Sequence, residues 1–174
     1  LADASGFVPA SCTLASSTSQ YDRGSRSLEL TATGGAAMTV YPGITGYNNK
    51  PCTPGVPYTA YFRVRNGTYS GQWYARLYFY TSVAGTATGS PFTGSTSTTV
   101  SSSGWTTIRH TVVAPADAAY VMPYLATASV ANIGETAYVD SMGVWQGAGG
   151  EWAYPGTPIP NLGQYTDESV GRRI

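Results

Sequence analysis

Charge is scarce in this chain. Asp, Glu, Lys and Arg make up 10% of its 174 residues, and nine basic side chains balance nine acidic ones. A chain without net charge lacks the broad cationic field that draws in phosphate backbones, so nucleic acid is not an expected partner. No apolar run approaches the roughly 18 residues of a membrane span, and the N-terminus lacks a basic-then-apolar leader pattern, so membrane insertion is not expected either. Lysine is almost missing: every basic residue except Lys50 is Arg, the bias of a GC-rich coding genome.

Groups that carry chemistry are equally few. The only cysteines, Cys12 and Cys52, lie too far apart in sequence for a close-spaced zinc pair; a single disulfide and two buried free thiols both remain open. His110 is the only histidine, and alternation in "WTTIRHTVV" puts it on one face with Ile108 and Val112, the setting of a hydrogen-bonded core or rim imidazole. Most carboxylates fall in turns or in the tail, and neither a Gly-x-Ser-x-Gly turn nor a cluster of metal-ligand type occurs. A hydrolase needs a base or a pair of carboxylates converging on one pocket, so an enzyme is not expected.

What is abundant is turn and strand material: 21 Gly, 11 Pro and 14 Tyr, with aromatics at 13%. Runs of β-rich or alternating composition, bounded by Gly, Pro, Asn and Ser, occupy 11–17, 26–33, 36–42, 56–66, 71–82, 95–101, 105–114, 118–128 and 135–146. With no helical period between them, these runs predict an all-β fold, a two-sheet antiparallel β-sandwich of the jelly-roll kind. The domain is expected to span 1–147. The Gly- and Pro-rich stretch 148–174 reads as a linker or tail leading to a following domain.

Alternation assigns faces. Leu28, Leu30 and Ala32 oppose Ser27, Glu29 and Thr31, while Tyr58, Ala60, Phe62 and Val64 oppose Tyr61, Arg63 and Arg65. In "GQWYARLYFY" Trp73, Ala75, Leu77 and Phe79 form an apolar set, and Tyr74, Arg76, Tyr78 and Tyr80 form the other. The strands at 56–66 and 71–82 are joined by "GTYSG", which predicts a hairpin. Such pairing would gather Tyr61, Arg63, Arg65, Tyr74, Arg76, Tyr78 and Tyr80 on one surface, with Glu29 as an added acceptor. Flat rings stack on the apolar faces of sugars and guanidinium forks donate to hydroxyls or carboxylates, so this surface is the expected ligand-binding site. Tyr and Arg also favour sheet surfaces and protein interfaces, which keeps a structural or interaction role open. In "YVDSMGVW", Tyr138, Asp140, Met142 and Val144 share a face, and a carboxylate among apolar neighbours needs a partner.

Three stretches in order, "YDRGSRSLELTA" (21–32), "GWTTIRHTVVAPADAAYV" (104–121) and "AYVDSMGVWQG" (137–147), resemble the carbohydrate-binding-module-like, galactose-binding-like jelly rolls of secreted glycoside hydrolases. The resemblance implies a non-catalytic module for glycan or polysaccharide. It also implies a structural calcium ion at Asp140 with carbonyls near Gly24 to Ser27; the alternative is a hydrogen bond or ion pair, for example to Arg26. The early strand that supplies a further Glu in such modules has no counterpart in "LADASGFVPAS"; it is either absent or lies upstream of Leu1. The tail, with "WAYPGTPIPNLG" and "GRRI", resembles minor tail proteins and tail fibres of phages infecting actinobacteria. That likeness implies a virion-tail or extracellular location, other tail subunits as partners, and host recognition as the task. An accessory module of a secreted polysaccharide-degrading enzyme is the other setting the fold allows.

Overall fold

The computed structural model describes residues 4, 6–42, 50–82, 87–94 and 96–147, with Lys50 and the strand at 87–94 described as backbone. Among these residues the chain forms twelve strands and no helix: β1 (Phe7–Ala10), β2 (Cys12–Ser17), β3 (Ser27–Ala32), β4 (Thr39–Pro42), β5 (Lys50–Pro51), β6 (Pro57–Asn66), β7 (Gln72–Tyr80), β8 (Ala87–Gly94), β9 (Thr98–Thr99), β10 (Thr106–Val113), β11 (Tyr120–Thr127) and β12 (Thr136–Gln146). One sheet runs β1-β4-β11-β7-β8, with β5 added to β11 and β9 added to β7; the other runs β10-β6-β12-β3-β2. All pairings are antiparallel. The predicted β-sandwich is therefore the observed fold. The proposed linker at 148–174 lies outside the described residues.

Strand composition explains the layers. Each long strand turns alternate apolar side chains inward, and the two inner faces interlock: Leu28, Leu30, Tyr58, Phe62, Val64, Trp73, Leu77, Phe79, Ile108, Val121, Leu125 and Val139 are all buried. Removing one of the large rings, Trp73 or Phe62, would cost about 3–5 kcal/mol through lost burial and the cavity left behind.

The strands that the sequence hid are short or carry proline. β1 contains Pro9 and β8 contains Pro91, and both lie at the edges of their sheet, where a missing N–H forfeits no ladder bond. Pro123 is the harder case, since β11 is central. It falls between the segment paired with β4 (Leu125, Ala126) and the segment paired with β5 (Tyr120, Val121), so the ladder on that side is already interrupted there.

The expected hairpin between β6 and β7 does not form. β6 lies in the five-stranded sheet and β7 in the other, so "NGTYSG" is a crossover from one layer to the next. Its side chains explain why. Asn66, buried in the core, donates from Nδ2 to the carbonyls of Val100 (2.9 Å) and Gly71 (3.1 Å) and accepts the Trp73 indole N–H at 2.8 Å. Tyr69 is also buried and meets Trp73 edge-on, with ring centroids 5.7 Å apart. The amides of Gly67 and Tyr69 both donate to the Thr136 carbonyl at the start of β12. A tight turn would leave these groups outside; the crossover buries and satisfies them.

Candidate functional site

The outward face of the β1-β4-β11-β7-β8 sheet is aromatic. β7 supplies Tyr74, Arg76, Tyr78 and Tyr80, which alternate with the buried set Trp73, Ala75, Leu77 and Phe79. The register sets Tyr120 opposite Tyr80, Met122 opposite Tyr78 and Tyr124 opposite Arg76. β4 adds Tyr41 on the far side of Tyr124, the two rings stacked at 5.2 Å and 15°. Tyr124 in turn meets Tyr78 at 5.0 Å, and Tyr78 stacks with Tyr80 at 6.3 Å and 20°. Four phenol rings thus form a continuous row across three strands. Each such contact contributes about 0.5–1.5 kcal/mol beyond burial, so the row holds its own shape.

Arg76 is set into this row. Its guanidinium lies 4.4 Å from the Tyr74 ring centroid and 5.8 Å from that of Tyr124, and one terminal nitrogen donates to the Tyr74 hydroxyl at 2.7 Å. Rings and hydrogen bond together fix the plane of the cation. Burial pushes the Tyr80 phenol up to about 12, with the neighbouring phenols Tyr78, Tyr41 and Tyr124 adding to it. Tyr124 is raised as well, chiefly by burial. The Tyr80 and Tyr124 hydroxyls therefore remain neutral donors and acceptors at physiological pH.

Tyr61, Arg63, Arg65 and Glu29 belong to the opposite side of the molecule. They project from β6 and β3 on the outer face of the β10-β6-β12-β3-β2 sheet, so the single Tyr/Arg surface expected from a β6–β7 hairpin is divided between two faces. Two of these residues are also engaged in packing. Arg63 donates from Nε to Asp22 Oδ2 at 2.8 Å, from one terminal nitrogen to Asp22 Oδ1 at 2.7 Å, and from the other to Thr107 at 2.8 Å. Tyr61 is 4% exposed, packed against Trp145 with centroids 5.4 Å apart and with the Arg109 guanidinium 5.5 Å from its ring. It is a poor platform for an incoming ring. Glu29 stands opposite Ala15 on one side and Tyr138 on the other, remote from β7.

Asp140 also departs from simple alternation. A bulge between Val139 and Ser141 shifts the register, so Tyr138 pairs with Arg65 on the outer face while Met142 and Val144 turn into the core opposite Phe62 and Ala60. The face predicted to join Tyr138 with Met142 and Val144 is therefore broken at Asp140 itself. The carboxylate is fully buried, and its Oδ2 accepts the backbone N–H groups of Asp22 and Arg23, the latter at 2.7 Å. With Gly24 turning the chain at φ 70°, the segment before β3 is clasped over this sheet. Calcium takes six to eight oxygens. Here the loop offers two N–H donors to Asp140 Oδ2, and both Asp22 oxygens accept from Arg63. Among the described residues no group of three or more His, Cys, Asp or Glu comes together.

The open disulfide resolves as two free thiols. Cys12 Sγ donates to the Thr39 carbonyl, level with Ala126 on β11, whereas the Cys52 amide donates to the Ala119 carbonyl beyond the other end of that strand. At about 3.3 Å per strand residue the two lie on the order of 20 Å apart, against an upper limit of about 7 Å between bridged Cα atoms.

Tyr41, Tyr120, Met122 and Tyr124 were not among the residues that sequence reasoning selected. Their signal was present in "YVMPYLAT", where Tyr120, Met122 and Tyr124 share one parity, but only the pairing of β11 with β7 and β4 makes them neighbours of Tyr78.

No family model matches this sequence, and no curated protein matches it. Solved structures do. The CBM22-1 xylan-binding domain of Paenibacillus barcinonensis Xyn10C is similar at a TM-score of 0.61 and 11% identity, over 84% of this chain and 88% of that one. The CBM22-1-GH10 modules of Clostridium thermocellum endo-1,4-beta-D-xylanase 10B, complexed with xylohexaose, are similar at 0.60 and 15% identity, over 80% of this chain and 26% of that one. The enzymatically active domain of Bacteriophage CBA120 tailspike protein 4 is similar at 0.55 and 16% identity, over 82% of this chain and 19% of that one. At these identities the likeness is one of fold: the chain has the β-sandwich architecture of the family 22 carbohydrate-binding modules.

Proposed function

We propose that this chain is a non-catalytic glycan-binding module whose ligand lies on the outward face of β4, β11 and β7. The observation that carries the reading is the row of mutually packed, partly exposed rings Tyr41, Tyr124, Tyr78 and Tyr80 with Arg76 fixed beside it. A pyranose presents an apolar face to a flat ring and hydroxyls at its rim, and phenols meet both needs. The ready-made order of the row reduces the entropy that binding must overcome. Support also comes from the fold, which the xylan-binding domains named above share. Tyr74, Arg76, Tyr78 and Tyr80 stay in the proposed site; Tyr61, Arg63, Arg65 and Glu29 leave it.

The setting we propose is an extracellular or virion-tail protein, with host-surface polysaccharide as target and other tail subunits as neighbours. The sandwich within the phage tailspike supports that setting, and the xylanase supports the other one, an accessory module beside a catalytic domain. The flanking gene sequence separates them. Binding itself is tested by a glycan array and cell-wall pulldown with the wild type and a Tyr74→Ala/Tyr78→Ala variant. Retention by the wild type alone supports the reading. Absence of any retention leaves the face as a packing surface or a contact for protein subunits.

A further inference from the structure

The seven strands of the aromatic sheet read FVPA, TVYP, KP, QWYARLYFY, ATGSPFTG, TT and YVMPYLAT, without one Asp or Glu. Their only charged residues are Arg76 and Lys50. The opposite sheet differs: it carries Glu29 and Asp140 beside its own arginines, and Asp22 lies across it bonded to Arg63. On the described outward face of the aromatic sheet the charged side chain is therefore Arg76, placed beside the row of rings with no carboxylate on the strands of its own sheet.

We infer that the tyrosine face recognises an anionic polysaccharide, with Arg76 receiving a carboxylate or phosphodiester of the ligand while Tyr78 and Tyr124 stack on the sugar that bears it. This rests on the glycan-binding reading of that face. The guanidinium is planar and carries donors in a fixed fork that suits either anion. Tyr74 and Tyr124 hold that plane at 4.4 and 5.8 Å, and the Tyr124 ring that flanks Arg76 also contacts Tyr78 at 5.0 Å. Tyr124 therefore links the cation to the row of rings, so a sugar seated against the exposed edge of that row has its exocyclic anion within reach of Arg76. A neutral chain such as an unsubstituted xylan would use only the rings.

The test measures binding of the whole chain to polygalacturonate, to the same polymer after chemical reduction of its carboxyl groups, to a phosphodiester-linked wall polymer and to unsubstituted xylan. Wild type, Arg76→Gln, Arg76→Lys and Tyr78→Ala/Tyr124→Ala are compared, with melting temperatures to confirm folding. The expected result is binding to at least one of the anionic polymers that exceeds binding to the neutral ones by about tenfold or more and weakens with salt. Arg76→Gln should remove that preference, and Arg76→Lys should restore part of it through charge without the fork. Preference confined to the carboxylate or to the phosphodiester polymer supports the inference and names the anion. Equal binding to the anionic and the neutral polymers, or a preference that survives Arg76→Gln, overturns the inference while leaving the glycan reading intact. Failure of the wild type to bind any polymer overturns both.

Discussion

Arg63 and Asp22 meet through two parallel hydrogen bonds, Nε to Oδ2 at 2.8 Å and a terminal nitrogen to Oδ1 at 2.7 Å, with side chains only 21% and 18% exposed. The pair joins β6 to the loop ahead of β3, and the Asp22 amide in turn donates to Asp140. It turns an arginine that looks like a ligand contact in the sequence into part of the scaffold.

Arg63→Gln should therefore act on stability. Loss of the fork leaves Asp22 partly buried without its counter-ion, and a destabilisation of about 1–3 kcal/mol is expected by denaturant titration. Glycan binding should be unchanged, because the residue faces away from β7.

Asp140→Ala should be more severe. Two backbone N–H groups lose their shared acceptor inside the fold, at a cost of about 2–4 kcal/mol. Since the carboxylate is held by amides, chelator should leave the melting temperature of the wild type unmoved. A marked fall on chelation would show that an oxygen-coordinated cation sits there after all.

Thiol titration in denaturant without reductant should count both cysteines. Burial pushes the Cys12 and Cys52 thiols up to about 11, so alkylation of the native protein at pH 8 should be slow, and slower than in the unfolded chain. The sign for stability follows: the unfolded thiols ionise near pH 9 while the native ones hold their protons to about pH 11, so this contribution is full below pH 9 and declines through that window. Recovery of no thiols in denaturant would mean a bridge that this packing forbids.

On the acid side His110 governs the first change. Burial holds its pKa below the ordinary histidine value, so the unfolded chain takes up a proton before the native one does. The His110 contribution should be full above about pH 7 and fall as pH drops through the region below it, ahead of the carboxylates. Urea midpoints measured between those limits should show the slope, and His110→Gln should flatten it.

The legible and illegible parts of this molecule divide along a physical line. Alternation is local, and it placed Leu28, Leu30, Phe62, Val64, Trp73, Leu77, Phe79 and Ile108 in the core correctly. It also grouped Tyr74, Arg76, Tyr78 and Tyr80 on one face of β7, where they are. Which strand lies beside which is not local. The path from Asn66 to Gln72 is short enough for a hairpin, and only the satisfaction of Asn66, Tyr69 and Trp73 by each other and by Val100 and Ser129 favours the crossover. That single misplacement sent Tyr61, Arg63 and Arg65 to the wrong side and concealed Tyr41 and Tyr124. The Asp140 bulge is a smaller case of the same limit, since one extra residue reverses the parity of everything before it.

The most direct measurement is the dissociation constant of a retained polysaccharide for variants on the two opposite faces. Tyr78→Ala/Tyr124→Ala should weaken binding by about tenfold or more, consistent with loss of stacking, while Arg65→Ala leaves it unchanged. Undiminished affinity in the double tyrosine variant, or its loss in Arg65→Ala, would contradict a ligand site on the β4-β11-β7 face.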